Sequence, residues 1–277
     1  MNPKPRENWD SVIEEWAAGE QYRLWRRHSD AVNTALLRRW LPKRPGARLL
    51  KTDLFDEAVT EGLYATLAAA ADCIIGVDVS ARVAAMAGRR HPGLVTGAAD
   101  VRHLPFDDDS FDTVVSISTL DHFERREEIG VALRELTRVL RPGGQLLLTL
   151  DNLAQPAVWL RSILPHGLMM RLGLIPYAVG RTLGPRRLQA ACREAGLQVE
   201  EVTAVLHCPR ALAVACTRWL ERHAAPRTQD RFLAWLSAFE RLERLPTRYF
   251  TGYFVAVRAG KPGPRMAQDH DPKPASG

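Results

Sequence analysis

From Ala47 onward, short apolar runs alternate with stretches of helical periodicity, and this alternation restricts the fold more than any other feature of the sequence. The predicted strands of this region are Ala47–Leu50, Cys73–Val77, Leu94–Thr96, Thr113–Ile117 and Gln145–Leu150. The intervals between them are long enough for helical crossovers, which is typical of a parallel sheet covered by helices. Two later candidates, Leu197–Leu206 and Tyr249–Val257, are expected to close the sheet with an antiparallel edge. The sequence therefore predicts an α/β fold with a Rossmann-like, doubly wound and mostly parallel sheet.

Segments outside this alternation predict additions to the core. Helical periodicity between Asn8 and Leu41, with Trp9, Ile13 and Trp16 one turn apart, predicts an N-terminal helical cap. The aromatic side chains of the cap, including Trp25, are expected to pack together rather than to form a substrate cage. The predicted order is an N-terminal helical cap (1–43), a cofactor-binding core (44–153), an inserted helical lid (154–183), a continuation of the core (184–208), a helical insertion (209–246), a last core strand (247–259) and a disordered tail (260–277).

Composition excludes several classes of protein. The chain has 277 residues, a formal net charge of +6, and four cysteines without C-x-x-C spacing, so neither a zinc site nor a disulfide framework is expected, and no metal. No apolar run approaches the length of about 20 residues that crosses a bilayer, and no leader pattern opens the chain. We therefore expect a cytoplasmic protein without a transmembrane segment. The positive charge is compatible with nucleic acid, an anionic membrane or a phosphorylated substrate, and alone does not distinguish them.

The turn after the first strand carries acidic residues, in the segment A-R-L-L-K-T-D-L-F-D-E-A. In a doubly wound sheet this turn faces the ligand. A dinucleotide would place its pyrophosphate here, which requires glycines and a helix N-terminus free of anions. Asp53, Asp56 and Glu57 would repel it, whereas they match the ammonium and sulfonium of S-adenosylmethionine. The charge therefore favours methyl transfer over hydride transfer.

Two longer motifs extend this interpretation. The first is G-A-A-D-V-R-H-L-P-F-D-D-D-S-F-D-T-V-V, from Gly97 to Val115. The second is L-R-E-L-T-R-V-L-R-P-G-G-Q-L-L-L-T, from Leu133 to Thr149. A pair of such motifs at this separation is a specific signal. Together with the strand pattern they resemble the class I S-adenosylmethionine-dependent methyltransferases. The resemblance covers about Arg44 to Leu206 and the last strand.

The resemblance implies roles for four residues. The family's acidic residue at the end of the second strand accepts both ribose hydroxyls, and Asp78 in G-V-D-V-S stands there. Its acidic residue after the third strand accepts from the adenine amino group, and Asp100 matches that position. Val79 and Val101 would then enclose the purine ring.

The first motif departs from the family, because Lys51, Thr52 and Asp53 stand where the family has an acidic residue followed by glycines. One substitute is that Asp53 accepts from the cofactor ammonium while Lys51, or an N–H at a helix start, meets its carboxylate. The alternatives are that Asp53 and Asp56 only cap a helix, or that cofactor binding is lost.

His122 follows the fourth strand, in S-I-S-T-L-D-H-F, near where the methyl group would point. It is a candidate general base or substrate hydrogen-bonding group, and Asp121 could orient its ring. The alternative is a structural histidine at a helix start. Ser118 and Thr119 line the same edge and are candidate cofactor contacts.

These features predict a methyltransferase that acts on a small-molecule acceptor. The apolar insertion from Ala154 to Ile175 suggests a hydrophobic or natural-product-like acceptor, and its arginines, Arg161 and Arg171 among them, suggest peripheral contact with an anionic membrane. A second hypothesis is a catalytically altered protein of the same fold that serves as a partner subunit or binds another ligand. A nucleic-acid acceptor is disfavoured because the sequence has no Asn/Asp-Pro-Pro-aromatic motif and no compact basic cluster interleaved with aromatics. The methylated atom and the oligomeric state stay open.

Overall fold

The computed structural model describes residues 22–42, 46–164 and 180–263. Its centre is a seven-stranded sheet with the order β3-β2-β1-β4-β5-β7-β6. The strands are β1 (Arg48–Thr52), β2 (Cys73–Asp78), β3 (Leu94–Ala98), β4 (Phe111–Ile117), β5 (Leu140–Asp151), β6 (Gln198–Val205) and β7 (Phe254–Gly260). Strands β1 to β5 pair in parallel, and β7 is antiparallel to both β5 and β6. The predicted α/β, Rossmann-like and mostly parallel sheet is confirmed.

Helices connect and cover these strands. They are α1 (Arg23–Trp40), α2 (Phe55–Val59), α3 (Tyr64–Ala68), α4 (Ala81–Arg90), α5 (Arg126–Val139), α6 (Pro156–Ile163), α7 (Pro185–Glu194), α8 (Arg210–His223), α9 (Pro226–Ala238) and α10 (Arg248–Thr251), with 3-10 turns at Leu120–His122 and Phe239–Arg244. Among the described helices, none is long and apolar enough to cross a membrane.

The end of the chain differs from the prediction in one respect. The last strand begins at Phe254 rather than at Tyr249, because residues 248–251 form the short helix α10. The antiparallel strand β7 also lies inside the sheet, and β6 forms the edge. The two helices expected between these strands are present as α8 and α9.

Alternation along the strands divides the core into two layers. Leu49 packs with α1 residues such as Leu37 on one face, whereas its neighbour Leu50 packs with Leu133 of α5 on the other. Successive strand residues point to opposite faces, so a strand buried on both sides is apolar throughout. Each large side chain that is fully buried contributes about 1.5–3 kcal/mol. Helix α1 is thereby fixed over the sheet, with its first half near the carboxyl ends of β1 and β4.

Several predicted segments lie partly outside the described residues. Trp9, Ile13 and Trp16 of the cap, residues 165–179 of the lid, including Arg171, and residues 264–277 of the tail are in this group. The division of the chain into a cap, core, lid and insertion stays a prediction. Arg161, expected at a membrane surface, is instead buried on α6, where it pairs with Asp151 and donates to the Tyr253 hydroxyl at 2.6 Å. An arginine with both partners in the interior does not contact a membrane.

Candidate functional site

A cleft of about 360 Å³ lies at the carboxyl ends of β1, β2 and β4, where the strand order reverses between β1 and β4. We call it the main cleft. Eight of the ten predicted site residues line it: Thr52, Asp53, Asp78, Val79, Asp100, Val101, Thr119 and His122. The fold therefore brings together most of the residues that the sequence selected from four separate loops.

Asp78 ends β2 and is buried beside the cleft. One carboxylate oxygen accepts from the Leu54 N–H at 2.9 Å and the other from the Ser80 N–H at 2.8 Å. Burial raises the pKa of Asp78, while these hydrogen bonds oppose the rise. Helix α4 is capped by Ser80, whose hydroxyl accepts from the Val83 N–H, so Asp78 does not serve as its cap. Asp78 is therefore held rigidly with its carboxylate at the cleft.

Asp53 occupies a backbone conformation that favours glycine, with φ of +66°. Its carboxylate accepts from the Phe55 N–H at 3.0 Å. Burial raises the pKa of Asp53 well above its usual range, and the nearby Asp78 adds to the rise. Asp53 thus adopts the backbone conformation of a glycine turn. The Leu54 and Phe55 N–H groups already donate to the carboxylates of Asp78 and Asp53, respectively. These N–H groups are not available in the way that the sequence-based substitute for the first motif required.

Lys51 does not line the main cleft. Its ammonium lies in the interior, 2.8 Å from a Glu57 oxygen, and it also donates to the Asp53 carbonyl. Burial disfavours the charge of Lys51, but Glu57 and Asp53 outweigh it and raise the pKa. Glu57 also accepts from the Leu63 N–H at 2.9 Å. The contact predicted between Lys51 and a cofactor carboxylate therefore has no support in this geometry, because the Lys51 ammonium is already bonded to Glu57 and to the Asp53 carbonyl.

Asp100 lines the cleft together with the two valines, but its carboxylate is already engaged. The Arg102 backbone N–H donates to it at 2.9 Å, and the guanidinium donates to both oxygens. Arg102, which outweighs the effect of burial, lowers the pKa of Asp100. A ligand amino group at Asp100 would share an oxygen with this pair, so the turn-capping alternative and the ligand role coexist.

The residues after β4 fall into two groups. Thr119 lines the main cleft, and its hydroxyl lies 2.9 Å from the Thr52 hydroxyl, which donates in turn to Ser116. Ser118, with φ of +49°, does not line the main cleft, and its hydroxyl donates to Asp121 at 3.0 Å. A cofactor contact by the Ser118 side chain is therefore not supported by its position.

His122 lines both the main cleft and a second cavity. Asp121 does not hold its ring in the manner considered from the sequence, because one Asp121 oxygen accepts from Ser118 and from the Asp151 N–H. Burial raises the pKa of Asp121 and Asp151 adds to it, whereas His122 lowers it. His122 thus stands at the junction of two cavities, which is a suitable place for a group that moves a proton.

The second cavity, of about 160 Å³, lies between α1, the β1 turn and the start of α8, and we call it the cap cavity. It is lined by Trp25, Arg26, Ser29, Asp30, Asn33, Lys51, Asp53, Phe55, Asp56, Leu63, Ile117, Ser118, His122, Arg210 and Phe254. Asp53, Phe55 and His122 also line the main cleft, so the two spaces adjoin. Sequence reasoning did not select the polar residues of α1, because no motif marks them; their helical spacing places Arg26, Asp30 and Asn33 on one face.

Comparison with known proteins identifies the core. Residues 55–148 match the methyltransferase domain family, beginning just after the altered turn. Over 128 residues, 46% of the chain, the sequence is 34% identical to a demethylmenaquinone methyltransferase of Streptomyces griseus, 49% of which is covered. Methyltransferase GfsG of Streptomyces halstedii is 42% identical over 22% of the chain and 23% of its own length. Probable tRNA methyltransferase 9B of Mus musculus is 41% identical over 21% of the chain and 13% of its own length. The chain spans about half or less of these relatives.

Solved structures show the same fold. A chain from the complex between the Haloferax volcanii Trm112 methyltransferase activator and its candidate methyltransferase has a TM-score of 0.61 at 18% identity, covering 94% of this chain and 99% of that one. Phosphoethanolamine N-methyltransferase 2 of Haemonchus contortus, in complex with S-adenosyl-L-methionine, has a TM-score of 0.56 at 18% identity, covering 83% and 52%. Together with the domain match and the sheet order, these findings show that residues 55–148 carry a methyltransferase domain, in a fold shared with solved S-adenosylmethionine-dependent methyltransferases.

Proposed function

We propose that this protein transfers the methyl group of S-adenosylmethionine to a small-molecule acceptor. The observation that carries the proposal is the main cleft, which is lined by Asp78 and Val79 at the end of β2 and by Asp100 and Val101 just after β3. A carboxylate suits a diol, and apolar walls suit a purine ring. S-adenosylmethionine supplies, when bound, a methyl group on a positively charged sulfur.

The charge of the site fits this cofactor. Asp53 and Asp78 are buried near each other, and each carboxylate has a raised pKa, with burial as the largest cause. A cationic ligand would stabilise the charged form of both carboxylates, because it offsets the repulsion between them in a low-dielectric environment. Asp78 would accept from the ribose hydroxyls and Asp53 from the ammonium. Phe55, which lines both the main cleft and the cap cavity, would help to exclude water.

His122 is the proposed general base, or a hydrogen-bonding group for the acceptor, because it faces both cavities. Most of the catalytic effect would come from alignment of acceptor and methyl group in a water-poor site. We place the reaction in the cytoplasm.

Two observations support a partly hydrophobic acceptor or peripheral membrane contact. Trp159, Leu160 and Ile163 of α6 are 52%, 49% and 57% exposed at the start of the proposed lid. The relative named for demethylmenaquinone favours a small molecule, whereas the relative named for tRNA keeps nucleic acid as the competing class of acceptor. The cap cavity adjoins the methyl position and is too small for a stacked nucleic-acid strand, which favours the small molecule.

The second candidate function is a partner subunit, or a protein that binds another ligand, and the altered turn favours it. Lys51 replaces the family's acidic residue, and the buried pair with Glu57 makes the exchange a stable feature of the fold. A protein of this fold that no longer binds the cofactor would retain such a pair without loss of stability.

Calorimetric titration with S-adenosylhomocysteine distinguishes these functions. We expect the wild type to bind, and Asp78→Ala to bind at least tenfold more weakly, because the proposed ribose contact is lost. Asp107→Ala is the matched control, since Asp107 lies in the exposed loop before β4 and outside both cavities. Absence of binding by the folded wild type would overturn the proposal and favour the partner-subunit function.

A further inference from the structure

We propose that the cap cavity binds the acceptor as an amine, with Asp30 pairing with its ammonium group and Asn33 hydrogen-bonding beside it. The inference rests on the proposed methyl transfer and specifies the class of acceptor. It predicts that the group entering the cavity is polar and cationic, even where the rest of the acceptor is apolar.

The location follows from the shared walls. Asp53, Phe55 and His122 belong to both spaces, so a group in the cap cavity lies next to the part of the main cleft that faces the turn after β1. Trp25 and Phe254 form aromatic walls of the cavity. An aromatic wall with a carboxylate close by is a common arrangement for recognition of an amine.

Two polar side chains of α1 are left for a ligand. Asn33 is 6% exposed and lines the cavity, yet its amide makes no hydrogen bond with any residue that the structure describes. Asp30, one turn earlier, likewise forms neither a hydrogen bond nor an ion pair within the described ranges. Asn33 and Asp30 thus present an amide and a carboxyl group to the same cavity, neither bonded within the described ranges, and a polar ligand there would find both available.

The local charge favours a cation as that partner. Lys51 pairs with Glu57, and Arg26 pairs with Asp56 at 3.0 Å, so these four charges compensate one another. Asp30 is left near them, and burial, followed by Asp56 and Glu57, raises its pKa to about 7 despite Arg26 and Lys51. Asp30 therefore has no counter-charge of its own within the described ranges, and a bound ammonium would stabilise its charged carboxylate.

Arg210 also lines the cavity. Its guanidinium lies over the Tyr253 ring at 4.3 Å and the Trp25 ring at 5.8 Å. The positive charge is thus held against the aromatic wall, and the amine is directed toward the Asp30 side by repulsion from Arg210.

The proton balance is simple. The acceptor enters as a protonated amine, and its nitrogen has no lone pair until it gives one proton to a base. The Asp30 carboxylate takes that proton and becomes a neutral carboxylic acid, which releases it to solvent when the product leaves. His122, which also lines the cavity, would hydrogen-bond the neutral nitrogen.

The test compares two probes of nearly the same shape, benzylamine and benzyl alcohol, in calorimetric titrations at pH 8 with the wild type and Asp30→Asn. Each protein is also titrated with S-adenosylhomocysteine, and Asp107→Asn is the control for loss of a carboxylate elsewhere. Asn33→Ala serves as the second variant, and thermal unfolding checks that each variant is folded.

We expect the wild type to bind benzylamine at least tenfold more tightly than benzyl alcohol. Asp30→Asn should reduce that preference to threefold or less while leaving S-adenosylhomocysteine affinity unchanged, and Asn33→Ala should weaken benzylamine by several-fold. Equal binding of the two probes by a wild type that binds S-adenosylhomocysteine would overturn the amine assignment alone. Failure of the wild type to bind S-adenosylhomocysteine would instead count against the proposed function.

Discussion

Removal of one partner from the Lys51–Glu57 pair should unfold the protein at much lower denaturant than removal of both. The two side chains are 4% and 0% exposed, and their charged atoms are 2.8 Å apart. In Glu57→Gln the amide can still accept from the Leu63 N–H, so the change isolates the charge. The ammonium of Lys51 is then buried with a hydrogen bond to the Asp53 carbonyl but without its counter-charge.

A buried charge that loses its counter-charge costs about 3–5 kcal/mol, whereas replacing both partners by uncharged groups is close to neutral in many proteins. We therefore expect Glu57→Gln and Lys51→Met each to lower the free energy of unfolding by about 3–5 kcal/mol. The double variant should be close to neutral, and should therefore lose less free energy of unfolding than either single variant. Such a loss is a large part of the roughly 5–15 kcal/mol that stabilises a typical domain.

Urea unfolding followed by circular dichroism measures these differences, with an unchanged slope against denaturant showing that the transition is comparable. Asp230→Asn is the control, because the Arg27–Asp230 pair has the same type of contact at 3.0 Å but side chains that are 54% and 61% exposed. It should change the free energy of unfolding by less than about 1 kcal/mol. A loss below 1 kcal/mol in Glu57→Gln, or single losses that simply add, would refute the reasoning.

Three further predictions concern the same region. His28 is buried, and burial lowers its pKa to about 4. The folded state therefore binds fewer protons than the unfolded state, and the free energy of unfolding should fall as the pH drops from 6.5 toward 4. His28→Leu should flatten this pH dependence in urea titrations. Asp53→Gly removes a non-glycine residue at positive φ and should raise the free energy of unfolding by about 0.5–1 kcal/mol while weakening S-adenosylhomocysteine in calorimetry; destabilisation would show that the hydrogen bond to Phe55 matters more. Arg102→Leu should raise the pKa of Asp100 in carbon-detected NMR titration, because the guanidinium lowers it, and an unchanged pKa would contradict the pairing.

Much of the fold could be predicted from the sequence because the strands are buried on both faces and carry a continuous apolar signal. The five core strands lie at the predicted positions, although β5 begins at Leu140 rather than at Gln145, and the residues after the strands meet at one edge as parallel strands require. The start of the last strand was predicted wrongly, because the apolar run at Tyr249 and Phe250 belongs to α10.

The candidate site was predictable where a residue follows directly from its strand. The sheet register alone places three residues at the main cleft: Asp78, Asp100 and Thr119. Lys51 could not be placed in this way, because whether a lysine faces a ligand or the interior depends on its partner, and Glu57 lies six residues away in a helix. The residues of the cap cavity carried no motif either, since Asp30 and Asn33 gain their surroundings from the packing of α1 on β1 and α8.

A crystal structure of this protein with S-adenosylhomocysteine tests the central claim most directly. The account predicts that the ribose hydroxyls lie at hydrogen-bonding distance, about 2.5–3.0 Å, from the Asp78 carboxylate, with the adenine between Val79 and Val101. The homocysteine end should point toward Asp53 and the cap cavity. A ligand bound elsewhere, or a main cleft that stays empty at saturating ligand, would contradict the account.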